Sequence, residues 1–187
     1  GAFLREEDTS ASEQQCRDRT GYYPKTAYNQ VTCGACYLYL FGIGRLTDAQ
    51  LRNLIPQRKG SGLPPYFLVD HTDETIKTRV CGTLDDEDQC QSWVQCCQAA
   101  VDCCERQLTM APSFDKMACP RTWDGYACWD DAKPGLEVST RCPDFLPHIF
   151  PGSKASKKCM DNGTWYSHPA TTTEWTNYTS CYRIGSI

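Results

Sequence analysis

The stretch EDQCQSWVQCCQAAVDCCERQL, residues 87–108, sets the architecture because it places five cysteines in a helical pattern. Apolar residues recur every three or four positions and form one stripe along a helix. The members of this stripe are Cys90, Trp93, Val94, Cys97, Val101, Cys104 and Leu108. Cys96 and Cys103 fall on an adjacent stripe. We therefore predict a long helix with sulfur on two neighbouring faces, one toward the C-terminal residues and one toward the N-terminal segment.

Signals on both sides of this helix indicate where it begins and where it gives way to other structure. The acidic run Asp85–Asp88 favours the first turn of a helix, where negative charge meets the positive end of the dipole, although a solvated loop fits equally well. After Pro112 the sequence changes to short segments with turn signals at Pro134-Gly135 and Asn162-Gly163. These segments predict small antiparallel sheets held by sulfur bridges, because so short a stretch buries little apolar surface.

The residues before the helix give weaker signals. The apolar run Cys33–Ile43 must be buried, and Thr47–Gln50 has the spacing of a capping box for a short helix that ends near Ile55. Two β-rich runs, Tyr66–Asp70 and Thr75–Val80, are separated by polar residues and predict a hairpin. No family signature accompanies these segments, so their fold is predicted from pattern alone.

The cysteine count indicates an extracellular protein. The chain has fourteen cysteines, which in an oxidising medium predicts seven disulfides. A zinc site is the competing interpretation, and Cys33-Gly-Ala-Cys36 is the one C-x-x-C motif. Structural zinc needs a second such pair or closely spaced histidines, whereas His71, His148 and His168 are isolated. We therefore predict no metal and no cofactor.

Charge and motifs exclude several classes of function. The net charge of -4 offers no basic face for nucleic acid or anionic lipid. No run of 18 apolar residues exists that would span a membrane. The sequence has no Ser/His/Asp order, no paired histidine ligands and no Gly-rich phosphate loop, so we predict that it is not an enzyme. The sequons at Asn162 and Asn177 fit a glycosylated ectodomain.

The C-terminal half carries a recognisable signature. It begins with Cys119-Pro-Arg-Thr-Trp-Asp-Gly-Tyr-Ala-Cys128-Trp129 and ends with Trp175-Thr-Asn-Tyr-Thr-Ser-Cys181. Between them stand Pro134-Gly135, Cys142-Pro143-Asp144, Lys157-Lys-Cys159, Asn162-Gly-Thr-Trp165 and His168-Pro169. Over residues 104–181 this order resembles the extracellular hormone-binding domain of secretin-type (class B) G-protein-coupled receptors. The wording is most similar to the calcitonin and diuretic-hormone-31-type branch.

The resemblance implies a disulfide pattern. Family members bond their six cysteines first to third, second to fifth and fourth to sixth. Cys104 is preferred over its neighbour Cys103 as the first cysteine, because it lies on the main stripe and the residues after it resemble the family's. The implied bridges are Cys104–Cys128, Cys119–Cys159 and Cys142–Cys181. The remaining cysteines are left unassigned, although the second stripe suggests that some of Cys16, Cys33, Cys36 and Cys81 bond to Cys96, Cys97 or Cys103, with Cys90 also unassigned.

The resemblance also implies a structural core and a ligand site. The core is an acid and a cation held between two indoles, and the matching residues are Asp124, Trp129, Lys157 and Trp165. The implied ligand contacts are Tyr126, Leu146, His148, Ile149, Trp175, Thr176 and Tyr178. The aromatic members of this set, Tyr126, Trp175 and Tyr178, would form a wall with apolar area and polar tips. The Thr176 backbone could donate to and accept from a terminal carboxamide. Leu146 and His148 stand where the branch usually has an aromatic residue and an acid, so the accepted ligand side chains should differ.

These inferences combine into one interpretation. The predicted fold is α+β and disulfide-rich, with a long helix packed on two small antiparallel sheets in residues 87–187, the C-terminal module. A cysteine-bearing N-terminal extension, residues 1–86, precedes it. The predicted function is capture of the C-terminal part of an amidated peptide hormone or neuropeptide at the cell surface. A G protein would be reached through a membrane domain beyond this fragment, and an accessory co-receptor is a candidate partner. The alternative is an interaction domain of an adhesion-type receptor.

Overall fold

The structure is a computed structural model that describes residues 14–42, 68–113 and 115–182. It is an α+β fold with seven disulfides, as predicted. The helices are α1 (Lys25–Phe41), α2 (Glu74–Cys81) and α3 (Glu87–Thr109). The strands are β1 (Gln15–Asp18), β2 (Gly21–Pro24), β3 (Thr122–Trp123), β4 (Cys128–Trp129), β5 (Glu137–Arg141) and β6 (Lys154–Lys158), and a 3-10 turn spans Thr179–Cys181.

Helix α3 begins where the acidic run predicts it. The Asp86 side chain caps the helix by accepting from the Gln89 N–H at 2.8 Å, and Glu87 and Asp88 occupy the first turn. The Asp86 carboxylate thus satisfies a free N–H group, and the positive end of the helix dipole stabilises the acidic side chains of the first turn. The helix buries residues from both predicted stripes, namely Cys90, Trp93, Cys96, Cys97, Ala100, Cys103, Cys104 and Gln107.

The predicted hairpin is wrong, because helix α2 occupies residues 74–81. Asp73 caps this helix by accepting from the N–H groups of Thr75 and Ile76 at 2.9 and 3.1 Å, which gives the segment a helical start despite its β-rich composition. Val80 is buried, and the Cys81–Cys90 disulfide ties α2 to α3. The short helix predicted after residue 47 lies outside the described residues.

The two sheets differ from expectation in their origin. The second sheet is the antiparallel pair β5–β6, within the C-terminal module. The first sheet has four strands in the order β2-β1-β3-β4, so two of them come from the extension. Strand β1 is antiparallel to β2 and parallel to β3, where Asp18 pairs with Trp123. The extension is therefore continuous with the sheet of the C-terminal module.

One implied disulfide is wrong and two match the structure. Cys119 bonds Cys159 and Cys142 bonds Cys181, as the resemblance implies. Cys128 bonds Cys103 instead of Cys104, and Cys104 bonds Cys16. Adjacent helical residues point about 100° apart, so only one of the two neighbours can face β4 while the other faces β1.

The extension is also joined to α3 along its helix. Cys33 bonds Cys97 and Cys36 bonds Cys96, as predicted for some of the N-terminal cysteines, although Cys97 belongs to the main stripe and only Cys96 to the second. The Trp93 indole N–H donates to the Cys33 carbonyl at 3.1 Å. Helix α1 and helix α3 bury their shared face in one apolar core that also includes Leu146 of the C-terminal module. The division at residue 86 stays a prediction about chain organisation.

Candidate functional site

The Asp124 carboxylate organises the turn between β3 and β4. Its Oδ1 accepts from the backbone N–H groups of Tyr126 and Ala127 at 2.8 and 2.7 Å. Its Oδ2 accepts from the Trp129 indole N–H at 2.8 Å. Asp124 is only 7% exposed, so these donors replace water around a buried charge.

Two hydroxyl groups from the C-terminal segment complete the shell around Asp124. Thr176 donates to Oδ2 at 2.8 Å, and the Tyr178 phenol donates to the same oxygen. Burial, followed by the charge of Asp124, raises the pKa of Tyr178 well above its ordinary value. The phenol therefore stays a neutral donor, and Asp124 fixes the segment 176–178 against the β3–β4 turn.

Lys157 is the cation of this cluster. It is 1% exposed on β6, and its ammonium donates to the Thr176 hydroxyl at 3.1 Å. The ammonium lies 5.2 Å from the centre of the Trp165 ring, within cation–π range. Burial lowers the pKa of Lys157, against the opposing effect of Asp124. The four predicted core residues thus lie together, but the ring under the cation is that of Trp165, whereas Trp129 binds Asp124.

Thr176 is held by its side chain and leaves its backbone available. On either side of it, the Trp175 N–H donates to Tyr166 and the Asn177 N–H donates to Ser156, at 2.9 and 2.8 Å. Among the described residues, the N–H and carbonyl of Thr176 form no hydrogen bond. A donor and an acceptor are therefore presented side by side at a fixed position.

An aromatic row connects the site to the extension. The Tyr126 ring lies 5.4 Å from that of Tyr178 and 5.7 Å from that of Tyr39 on α1. The Tyr126 hydroxyl donates to the Tyr39 carbonyl at 2.9 Å. Burial raises the pKa of Tyr126 to about 12. Gly125 has φ 108°, and a Cβ there would come 2.7 Å from the Tyr39 ring, so glycine allows this contact.

The remaining predicted ligand residues form separate groups. Leu146 is 4% exposed within the shared core, against which Tyr126, Ile149 and Tyr178 pack. His148 is exposed at φ 59°. The aromatic wall of Tyr126, Tyr178 and Trp175 as a peptide surface stays a prediction, and Trp175 has ring contacts of its own. Its ring contacts Tyr166 and His168 with centroids 6.0 and 5.5 Å away.

Sequence reasoning missed two residues that border the site. Tyr39 contacts Tyr126, and Arg17 forms an ion pair with Glu174, two residues before Thr176. Neither residue belongs to a motif, so no local signal identifies them. They are brought here by the disulfides that join the extension to α3 and by the pairing of β1 with β3.

Among the residues that the structure describes, Cys33, His71 and Cys97 form a group whose possible metal-ligand atoms lie within 4.8 Å of one another. The two sulfur atoms are bonded to each other, so they offer no thiolate. His71 instead contacts the Gln98 side-chain oxygen at 3.1 Å. Within the described part of the chain, no helix has the length and apolarity needed to cross a bilayer.

Both sequons have the same local geometry. The Thr164 hydroxyl donates to the Asn162 side-chain oxygen at 2.7 Å, and the Thr179 hydroxyl does the same for Asn177 at 2.6 Å. Asn162 is exposed and Asn177 is half-buried. The two asparagines therefore differ in how freely an enzyme could reach them.

Comparison with known proteins gives a consistent picture. Residues 116–184 match the hormone receptor domain family. The calcitonin receptor of Rattus norvegicus is 48% identical over 63 residues, which are 34% of this chain and 12% of that receptor. The calcitonin gene-related peptide type 1 receptor of Xenopus tropicalis is 46% identical over 63 residues, 34% of this chain and 13% of that receptor. The chain thus spans only a small part of the length of these relatives.

Proposed function

We propose that this chain, which carries the extracellular hormone receptor domain of a class B receptor, binds the C-terminal part of an amidated peptide hormone. The observation that carries this proposal is the geometry of Thr176. Its hydroxyl is held between Asp124 and Lys157, and its backbone donor and acceptor have no partner among the described residues. The proposed location is the extracellular side of the plasma membrane.

A terminal carboxamide is the group that fits Thr176. It carries both a donor and an acceptor, so it can bond the N–H and the carbonyl of one residue together. A free carboxylate has acceptors only and would place its charge against the Thr176 carbonyl. With the free-acid peptide, the Thr176 carbonyl would have no hydrogen-bond donor. We therefore expect strong discrimination between the amidated and the free-acid peptide.

The apolar part of the peptide would lie on the residues beside Thr176. Tyr126 and Ile149 are half-buried, and Trp175 is 37% exposed. Phe150 and Tyr182 are each 41% exposed. An isolated antiparallel β-bridge between Ile149 and Tyr182 brings their segments together. Aromatic surface with polar tips is common at peptide interfaces. His148, exposed next to Ile149, would contact the peptide at the rim.

Calorimetry of this chain against rat calcitonin, as the amide and as the free acid, tests the proposal. We expect the amide to bind at least about tenfold more tightly, since the free acid loses a hydrogen bond and gains a repulsion. Thr176→Ala should weaken the amide and reduce the amide-to-acid ratio, because the loop loses its contacts with Asp124 and Lys157. Thr173→Ala, an exposed change three residues earlier, is the control. Equal binding of both peptide forms would contradict amide recognition.

Signalling is a property proposed for the whole receptor. A G protein would be reached only through a membrane domain outside this chain, and an accessory co-receptor is a candidate partner.

We also propose that Asn162 and Asn177 carry glycans. Mass spectrometry after expression in a secretory host should show modification of both, with higher occupancy at the exposed Asn162. Loss of the mass shift in Asn162→Gln would assign the major glycan, and an unmodified wild type would contradict the proposal.

A further inference from the structure

Besides the contact of Tyr39 with Tyr126, the extension reaches the proposed peptide site through an ion pair. The Arg17 guanidinium, on β1, forms two hydrogen bonds with the Glu174 carboxylate, one of them at 3.2 Å. The same guanidinium donates to the Thr122 hydroxyl at 2.8 Å. Both side chains of the pair are 14% exposed, so solvent screens their attraction less than at an open surface. Two parallel bonds also fix the orientation of the carboxylate.

Glu174 lies at the base of the loop that leads to Thr176. It pairs with Ser167 across that loop, and the next residue, Trp175, donates to the Tyr166 carbonyl at 2.9 Å. Within this loop Thr172 has φ 56°, an unfavourable conformation for threonine. Because Glu174 is only two residues from Thr176, fixing Glu174 limits how far Thr176 can move away from Asp124 and Lys157.

Arg17 itself is fixed by the rest of the extension. The preceding residue, Cys16, bonds Cys104, and the following residue, Asp18, pairs with Trp123. The Gln107 side chain accepts from the Arg17 N–H at 2.7 Å and donates to the Arg17 carbonyl at 2.8 Å. The guanidinium therefore projects from a backbone that is held by α3 on one side and by β3 on the other.

We propose that Arg17 is a positioning residue for peptide binding: it holds Glu174 so that the Thr176 backbone is presented in one geometry before the peptide arrives. This inference rests on the proposed function. Preorganisation of a loop raises affinity, because the cost of ordering that loop is met before binding. The extension is in this view part of the ligand site, although Arg17 does not contact the peptide.

The test uses Arg17→Gln, Arg17→Lys and Glu174→Gln, with Lys25→Gln as the matched control. Lys25 also joins the extension to the C-terminal module by an ion pair, but its partner is Glu105 on α3. The first measurement is amide hydrogen exchange of Trp175 and Asn177 by NMR in the peptide-free protein. We expect about tenfold faster exchange in Arg17→Gln and Glu174→Gln, because the loop opens more often. Arg17→Lys, which keeps the charge without the two parallel bonds, should be intermediate.

The second measurement is calorimetry with rat calcitonin in its amide and free-acid forms. Arg17→Gln and Glu174→Gln should bind the amide about fivefold to tenfold more weakly and show a smaller amide-to-acid ratio, since the loop must be ordered on binding. Unchanged exchange at Trp175, or an equal effect of Lys25→Gln, would overturn the positioning role. If the wild type binds neither peptide while Arg17→Gln still speeds exchange, the proposed function fails and the loop-holding role of Arg17 stands.

Discussion

The extension and the part of the C-terminal module that follows α3, residues 110–187, are both joined to this helix, but by different means. Four disulfides connect the extension to this helix, through Cys104, Cys97, Cys96 and Cys90. One disulfide, Cys103–Cys128, connects residues 110–187 to it. Residues 110–187 are otherwise held by two disulfides of their own, Cys119–Cys159 and Cys142–Cys181, and by the polar contacts of Asp124. The position of the extension therefore depends largely on the helix, whereas residues 110–187 are also organised by disulfides and polar contacts among themselves.

The largest expected effect comes from two double substitutions, which test whether Cys103 or Cys104 is the partner of Cys128. Cys16→Ser with Cys104→Ser removes one bridge and leaves six intact; we expect a folded protein, less stable by about 2–5 kcal/mol. Cys16→Ser with Cys103→Ser leaves Cys104 and Cys128 as partners that face different directions, and we expect misfolding with free thiols. Thiol titration and unfolding curves measure both. A well-folded second variant without free thiols would instead support the Cys104–Cys128 bridge.

Asp124→Ala should have the next largest effect, because it removes the acceptor that organises the module. The indole of Trp129 and the hydroxyls of Thr176 and Tyr178 would lose their shared partner. We expect a loss of about 3–5 kcal/mol in the free energy of unfolding, measured in denaturant with disulfides intact. Asp144→Ala, at a 79% exposed carboxylate, should change stability by less than about 0.5 kcal/mol. Similar losses in both variants would show that Asp124 has no special role.

The contact between Tyr126 and the extension predicts a pH effect of intermediate size. Burial raises the pKa of Tyr126 from 10.0 to about 12, so the folded state favours the neutral phenol. This contribution to stability is complete below pH 10 and is lost as pH rises through about 12. We expect wild type to lose stability faster than Tyr126→Phe over this range. Tyrosinate absorbance gives the pKa by difference, and parallel stability curves for the two proteins would argue against a buried phenol.

The exposed ion pair of Lys25 with Glu105 should have the smallest effect. The two side chains are 41% and 50% exposed, so water and salt screen their attraction. Lys25→Gln is expected to lower the free energy of unfolding by less than about 1 kcal/mol, and by less still in high salt. Thermal unfolding at two salt concentrations measures this. A large loss that salt does not reduce would contradict a screened surface ion pair and would mean that Lys25 contributes by packing instead.

The predictability of the two regions follows the same division. Helix α3 was predictable because the period of its apolar residues and its acidic first turn both indicate a helix. The disulfides Cys119–Cys159 and Cys142–Cys181 were predictable from the resemblance of the motifs around these cysteines. Helix α2 was missed because its threonine, isoleucine and valine favour a strand, and the Asp73 cap outweighs that preference. At the site, the residues around Asp124 were predictable from their motif, but the ring contacts of Trp175 with Tyr166 and His168 were not.

Sequence alone was sufficient for the disulfide-rich class, the long helix and the resemblance of the C-terminal module, because each depends on local spacing or on a contiguous motif. The three-dimensional packing was needed to establish that Cys103 and not Cys104 bonds Cys128, and that Arg17 and Tyr39 border the site. The reason is physical. Neighbouring cysteines on a helix have equal chemistry, and which of them meets which strand depends on where distant residues pack.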